Sequence, residues 1–251
     1  MGLGSAGPKG ITLAAKEALS RAEVVFGYKL YLKEAEPHLP PAAKVVSSGM
    51  TAEMSRAEAA LESAASGLRT ALVSGGDPGV YAMAGAVLEV AASKGLDISG
   101  NPGSVAISVI TGTPSLTAAA ALLGAPLTHD FCAISLSDRL TKWETIKKRL
   151  EMAAGADFVI AIHNPKSHGR DWQLSEAAEI LLKTLKAETP VGLARRCGRP
   201  GESKEITTLG RLKEAEVDMQ TLIIVGNSKS FVYQGRLITP RGYVDKYGPA
   251  E

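Results

Sequence analysis

Two short glycine segments carry the first chemical signal in this chain. Ser74-Gly75-Gly76-Asp77-Pro78-Gly79-Val80-Tyr81 follows the apolar run Thr70–Val73 and precedes a helical pattern. Adjacent glycines at a strand's carboxyl end let the backbone come close to a ligand, because no Cβ intervenes. Pro78 suits the opening of a helix, and Asp77 the capping position before it. Two readings stand side by side: a plain helix start capped by Asp77, or a ligand loop in the crevice where open α/β sheets bind small molecules. Without a basic helix around it, the loop suits a zwitterionic or cationic ligand as well as a phosphate. Ile110-Thr111-Gly112-Thr113-Pro114-Ser115-Leu116-Thr117 repeats the pattern of strand, glycine turn and alanine-rich helix. Two such loops in one half are more informative than either alone.

A different chemistry follows two later strands. Ile162-His163-Asn164-Pro165-Lys166-Ser167-His168-Gly169-Arg170 and Ala194-Arg195-Arg196-Cys197-Gly198-Arg199 gather Lys166, His168, Arg170, Arg195, Arg196 and Arg199 at strand ends. Such a set suits an acidic substrate, since guanidinium groups bind carboxylates through paired hydrogen bonds. The plainer reading is that these are ordinary turns with solvated arginines. Gly2, Gly4 and Gly7 match GxGxxG, but only one residue precedes them and no acid closes the next strand, where Gly27-Tyr28-Lys29 stands. That is not the context of a dinucleotide site. The two cysteines, Cys132 and Cys197, and four histidines form no metal-binding spacing, so no metal site is expected.

The elements that must position these loops read as alternating strands and helices. Strands are predicted at Glu23–Phe26, Lys44–Ser47, Thr70–Ser74, Ala106–Ile110, Cys132–Leu136, Asp157–Ile162, Pro190–Arg195 and Thr221–Val225. Amphipathic helical patterns lie around Leu61, from Val80 to Ala91, from Trp143 to Ala153 and from Leu174 to Leu185, and a small-residue helix spans Ser115–Leu123. This predicts two α/β domains with mostly parallel strands, the second closed by antiparallel strands at Ile206–Leu209, Leu222–Val225 and Phe231–Ile238. The boundary is expected near Leu127–Phe131, giving domains 1–127 and 128–251.

Length and composition set outer bounds. A chain of 251 residues with 45% hydrophobic and 22% charged residues fits a water-soluble globular protein with a buried core. A formal charge of +2 does not imply nucleic-acid binding. No apolar run reaches the ~20 residues of a membrane span and no signal pattern opens the chain, so a cytoplasmic location without membrane association is expected.

Taken together, the segments resemble the tetrapyrrole (precorrin) methylase family. The resemblance rests on the GD-P loop Gly76-Asp77-Pro78-Gly79-Val80-Tyr81-Ala82-Met83-Ala84-Gly85, on Gly27-Tyr28-Lys29-Leu30-Tyr31-Leu32, and on Ser47-Ser48-Gly49-Met50. It continues through Leu122–Phe131, Ile134–Asp138, Asn164-Pro165-Lys166-Ser167, Ile206–Leu209, Val225-Gly226-Asn227-Ser228 and Thr239-Pro240-Arg241-Gly242-Tyr243. It covers nearly the whole chain in order and is similar above all to the branch that methylates C17 of precorrin-3B. The chain departs from the family in lacking the usual strand before the first glycine turn, so that either its start lies upstream or the sheet lacks an edge. Ser5-Ala6 stands for the usual proline–glycine, and Thr111 for a proline. Tyr28 and Gly49 replace acidic and lysine residues of other branches, which argues against uroporphyrinogen methylation.

The resemblance implies a homodimer with S-adenosylmethionine folded into a cleft between the two domains. Carried across by motif, the cofactor contacts are Gly75, Gly76, Asp77, Val80, Met83, Pro114, Ser115, Ile162 and Cys197, the last two with an uncertainty of one residue. Lys166, Arg170, Arg195 and Arg196 are expected to hold the carboxylates of a precorrin or cobalt-precorrin. The implied reaction is methylation at C17 with ring contraction to precorrin-4 in cobalamin biosynthesis. Positioning supplies most of the effect, on the order of 7–11 kcal/mol. Tyr28, Lys29, His129 and Asp130 are the candidates for acid–base help in the contraction. Two other readings stay open: another precorrin methyltransferase of the family, and a corrinoid carrier without chemistry, which would ignore S-adenosylmethionine.

Overall fold

The computed structural model describes residues 1–5, 7–49, 51–167 and 169–248. Ala6, Met50 and His168, raised above, lie outside the described residues. The chain forms two compact units, Met1–Ser115 and Leu116–Glu251.

In the first unit, β1 (Val24–Tyr28), β2 (Lys44–Ser48) and β3 (Thr70–Val73) form a parallel sheet in the order β2-β1-β3. β1 is an unbroken apolar run because both its faces are covered. Val25 and Val73 face Ala15 and Leu19 of α1 (Leu13–Ser20) and Leu32 of α2 (Lys29–Ala35). Val24 and Phe26 face Ala60 of α3 (Glu53–Ala65), beside α4 (Met83–Ser93). Thr12 starts α1, its Oγ accepting the Ala15 amide at 3.1 Å.

Residues 1–5 extend this sheet past β3. Leu3 N donates to Ser74 O at 2.9 Å, Gly2 N to Ile110 O at 3.0 Å and Ser5 N to Thr113 O at 2.9 Å. The strand expected at Ala106–Ile110 is not formed; residues 105–114 have no regular structure. Only its far end meets neighbouring backbone, and Ile107 and Val109 instead line an apolar pocket of about 120 Å³ with Leu61, Leu72, Met83 and Val87. The helix expected to open at Pro78 begins at Met83, with Ala82 at its cap. Asp77 therefore does not cap it: its Oδ1 accepts the Gly79 amide at 2.8 Å and closes a turn of its own.

In the second unit, α5 (Ser115–Leu123) leads into β4 (Gly124–Ala125). The main sheet comprises β5 (Phe131–Ser135), β6 (Val159–His163), β7 (Pro190–Arg195), β8 (Ser203–Thr208) and β9 (Thr221–Val225), in the order β5-β6-β9-β7-β8. β5 and β6 are parallel, whereas β9 runs antiparallel to both β6 and β7, and β8 antiparallel to β7. α6 (Trp143–Gly155) and α7 (Gln173–Leu182) cover the sheet, with Ile146, Leu150, Leu181, Ile160 and Leu193 in one core. A small sheet joins β4 to the hairpin of β10 (Phe231–Tyr233) and β11 (Arg236–Ile238), before α8 (Tyr243–Tyr247). The Val225-Gly226-Asn227-Ser228 segment is a structural lock: Asp157 accepts from Ser228 N at 2.8 Å and Ser228 Oγ at 2.7 Å, and Ser230 Oγ meets Thr239 Oγ at 2.7 Å.

Among the described residues no helix is long and apolar enough to cross a membrane. Leu193 is wholly buried between the sheet and its helices. Leu193→Ala is expected to cost about 2–5 kcal/mol, read as a lower urea midpoint at unchanged slope.

Candidate functional site

Because β1, β2 and β3 are parallel, Tyr28, Ser48 and Ser74 all reach the same edge of the first sheet. Gly2 bridges Ser74 in the same direction, so residues 2–5 and 111–115 arrive there too. Five chain segments thus meet where ligands bind in such sheets. Three of them meet at the carbonyl oxygen of Gly76, which accepts from Gly4 N at 3.1 Å. A Cβ on Gly2 would lie 2.2 Å from that oxygen, and one on Gly112 2.3 Å from it. The N-terminal glycines are therefore packing glycines that bring three loops into backbone contact.

Asp77 braces the same point. Its second oxygen accepts the Gly112 amide at 3.2 Å, so one carboxylate holds both glycine loops. Gly75 backs onto Tyr31, whose ring would sit 2.5 Å from an added Cβ. Tyr31 in turn meets Tyr28 edge to face, centroids 5.9 Å apart. Val80 N donates to Asp77 O at 3.3 Å, Met83 is buried at the head of α4, and Pro114 and Ser115 close the second turn. At the floor, the buried Ser74 Oγ has no hydrogen-bond partner among the described residues. An orphaned buried hydroxyl is costly and fits a polar ligand or ordered water above it.

In the second unit β5, β6 and β7 point the same way, since β9 opposes both β6 and β7. Their carboxyl ends bring the basic loops to one edge. Lys166 is exposed there. Arg170 is a staple, with Nε donating to Ser167 Oγ at 2.9 Å and Nη1 to Leu136 O at 3.0 Å. Arg195 pairs with Glu205 at 3.4 Å and Arg196 with Asp218 at 3.9 Å. Ile162 is a core side chain with no exposed surface, so a ligand contact at this point falls to backbone or to His163 beside it. Cys197 is half-buried; burial, then Glu202, raises its thiol pKa.

The other pair is placed differently. His129 and Asp130 precede β5 and lie at the opposite edge of that sheet from the basic loops, and His129 Nδ1 accepts the Asp130 amide at 2.8 Å. Lys29 is exposed at the first residue of α2.

Backbone strain gives a signal that spacing alone missed. Among the described residues five non-glycines have left-handed φ, and Tyr81 (51°), Asn164 (53°) and Arg196 (50°) sit in the strand-end loops of the two units. Such strain concentrates where ligands are held. Asn164 is fixed by Nδ2 donating to Ser135 Oγ at 2.9 Å.

A glycine-built crevice at the carboxyl edge of a parallel sheet, followed by a mixed sheet with basic loops, defines an α/β protein that binds a small molecule. Residues 1–213 match the family model described as Tetrapyrrole (Corrin/Porphyrin) Methylases, and the chain belongs to that family. It is 45% identical over 247 residues to a "Probable cobalt-factor III C(17)-methyltransferase" of Salmonella typhimurium, covering 97% of this chain and 98% of that protein. It is 42% identical over 248 residues to the "Precorrin-3B C(17)-methyltransferase" of Sinorhizobium sp, covering 97% and 95%. The crystal structure of the methyltransferase CobJ superposes with a TM-score of 0.86 at 34% identity, covering 95% of this chain and 97% of that one.

Burial holds the His163 pKa down at about 4 from 6.5. Below pH 6.5 the unfolded chain binds a proton that the folded chain refuses until about pH 4. This contribution to stability is therefore whole above the upper value and is lost as pH falls to the lower, by roughly 3 kcal/mol at most. His163→Gln is expected to flatten that acid loss in urea midpoints measured at neutral and acid pH; a parallel decline would remove His163 as its source.

Proposed function

We propose that this protein is an S-adenosylmethionine-dependent methyltransferase acting at C17 of precorrin-3B or its cobalt analogue, with ring contraction to precorrin-4 in cobalamin biosynthesis. The observation that carries the reading is the convergence of residues 2–5, 74–83 and 111–115 on the Gly76 carbonyl. It stands in a chain that aligns nearly end to end with proteins named as C17-methyltransferases. When bound, S-adenosylmethionine supplies a methyl group to a carbon nucleophile by in-line displacement at the methyl carbon, the sulfur leaving as the thioether of S-adenosylhomocysteine.

Gly75, Gly76, Asp77, Val80, Met83, Pro114 and Ser115 would hold the donor, and the orphaned Ser74 hydroxyl fits a polar group placed over it. Asp77 keeps the two loops at the spacing the donor needs. From the second unit, Ile162 by its backbone and Cys197 on the loop after β7 would be the contacts. The macrocycle is electron-rich, so these residues orient and desolvate rather than generate a strong base. Lys166 and Arg196 would meet substrate carboxylates directly, Arg195 would orient with Glu205, and Arg170 would hold the loop in shape. Tyr28 and Lys29 would steady a substrate side chain, and His129 with Asp130 would serve the contraction. The protein would work as a cytoplasmic homodimer, with residues 1–127 and 128–251 as its functional halves.

Calorimetry with S-adenosylhomocysteine is the first test, with product mass from precorrin-3B and its cobalt analogue as the second. Donor binding followed by C17 methylation is expected; tetrapyrrole binding without any donor affinity would leave a carrier instead. Asp77→Ala is expected to weaken S-adenosylhomocysteine at least tenfold, since it frees two charge-assisted bonds worth about 1.5–3 kcal/mol each. Lys166→Ala and Arg196→Ala are expected to raise KM for the tetrapyrrole about tenfold at nearly unchanged kcat, the mark of uniform binding. His129→Ala should slow contraction more than it weakens donor binding; equal turnover would dismiss its chemical role.

A further inference from the structure

Arg56 is a buried cation whose hydrogen-bond partners among the described residues are all neutral. It stands one turn into α3 with 6% of its surface exposed. Its Nε donates to Ser48 Oγ at 2.6 Å, Nη2 to the carbonyls of Ser48 at 3.4 Å and Gly49, and Nη1 to Met83 Sδ at 3.7 Å. Removing a guanidinium from water without an anion is unfavourable, and an apolar side chain of similar length often fills such a space equally well. What arginine adds is a rigid planar fork that reaches acceptors in several fixed directions at once.

The acceptors belong to two separate segments at the crevice edge. Ser48 and Gly49 form the carboxyl end of β2 and the residue after it, and Met83 heads α4 directly after the 74–82 loop. Ser48 is paired with Tyr28 of β1, whereas a Cβ added to Gly49 beyond it would meet nothing within 4 Å. Met83 is itself buried against Ala57 and Leu61 of the helix that carries Arg56. The guanidinium thus links the end of β2, where Gly49 is open, to a buried side chain at the head of α4.

We propose that Arg56 is a positioning residue that ties the loop after β2 to the head of α4, fixing the spacing between the crevice wall at Ser48–Gly49 and the ligand loop ending at Met83. This rests on the reading of residues 74–83 as the methyl-donor loop. Arg56 touches neither donor nor substrate; it acts through Met83 and the Ser48–Gly49 backbone. A Met side chain at position 56 keeps the packing and loses the tie.

The test is titration of wild type, Arg56→Met and Arg56→Lys with S-adenosylhomocysteine, alongside melting curves and steady-state kinetics. Arg56→Met is expected to melt near wild type yet bind S-adenosylhomocysteine about tenfold more weakly, with KM for the tetrapyrrole raised as well. Arg56→Lys should restore only part of the affinity, because one nitrogen cannot span both segments. Arg56→Met holding wild-type affinity and KM overturns the proposal. If Arg56→Met does not fold, Ser48→Ala decides: it removes one acceptor and should weaken S-adenosylhomocysteine about threefold, and unchanged affinity sinks the idea. Wild type is titrated in the same series. Absence of binding there brings down the donor-loop reading and this proposal together, whereas wild-type binding with an indifferent Arg56→Met removes only the role of Arg56.

Discussion

Backbone crowding around a single carbonyl oxygen governs the first half of this protein. Three loops from distant parts of the sequence approach Gly76 O so closely that neither Gly2 nor Gly112 has room for a methyl group. The side chains that could have separated the loops are absent, and the Asp77 carboxylate fastens its own loop to the second by accepting hydrogen bonds from the Gly79 and Gly112 amides. The crevice follows from that contact. Its walls are largely backbone, and its floor holds a hydroxyl without a hydrogen-bond partner among the described residues. Preorganisation of this kind is what methyl transfer needs, since the reaction depends on alignment more than on acid or base strength.

In the parallel sheet of the first unit and the five-stranded sheet of the second, the candidate ligand loops lie at the carboxyl edges. At the carboxyl edges stand three left-handed non-glycine residues and a buried hydroxyl, which carry a stability cost, beside basic side chains that carry none. Elsewhere polar groups are paired off in closed networks, as where Asp157, Asn227, Ser228 and Ser230 anchor the C-terminal hairpin. The family-like Val225–Ser228 motif belongs to the second kind. Its value is in holding β10 and β11 against β4, with Thr128 Oγ also reaching the Thr239 carbonyl.

Much of the architecture was legible in the residues. Unbroken apolar runs such as Thr221–Val225 read as strands because both faces are buried, and the small-residue helix at Ser115–Leu123 was readable from composition. Residues 106–110 look like a strand by composition, but a strand needs a neighbour along its length and here only Ile110 has one. Asp77-Pro78 reads locally as a helix cap, yet long-range bonding to Gly112 holds it in a turn and the helix starts later. The strand-end positions of the glycine and basic loops were also readable. That Arg170, Arg195 and Arg196 already have partners was not, because Leu136, Glu205 and Asp218 are distant in sequence. Arg56 escaped notice for a related reason: in sequence it is one more charged residue on an amphipathic helix, and only burial makes it unusual.

The strand order of the second sheet also bears on how this half is made. β9 is the central strand but the last of the five to be synthesised, separated from β6 by the whole of α7, β7 and β8. Until Thr221–Val225 leave the ribosome, β6 and β7 each present an edge of unpaired backbone N–H and C=O groups. The early-made pieces are local, whereas the ladder that joins them is non-local and carries the loop-closure entropy. In the finished sheet the pairs β5–β6 and β7–β8 are joined only through this five-residue strand.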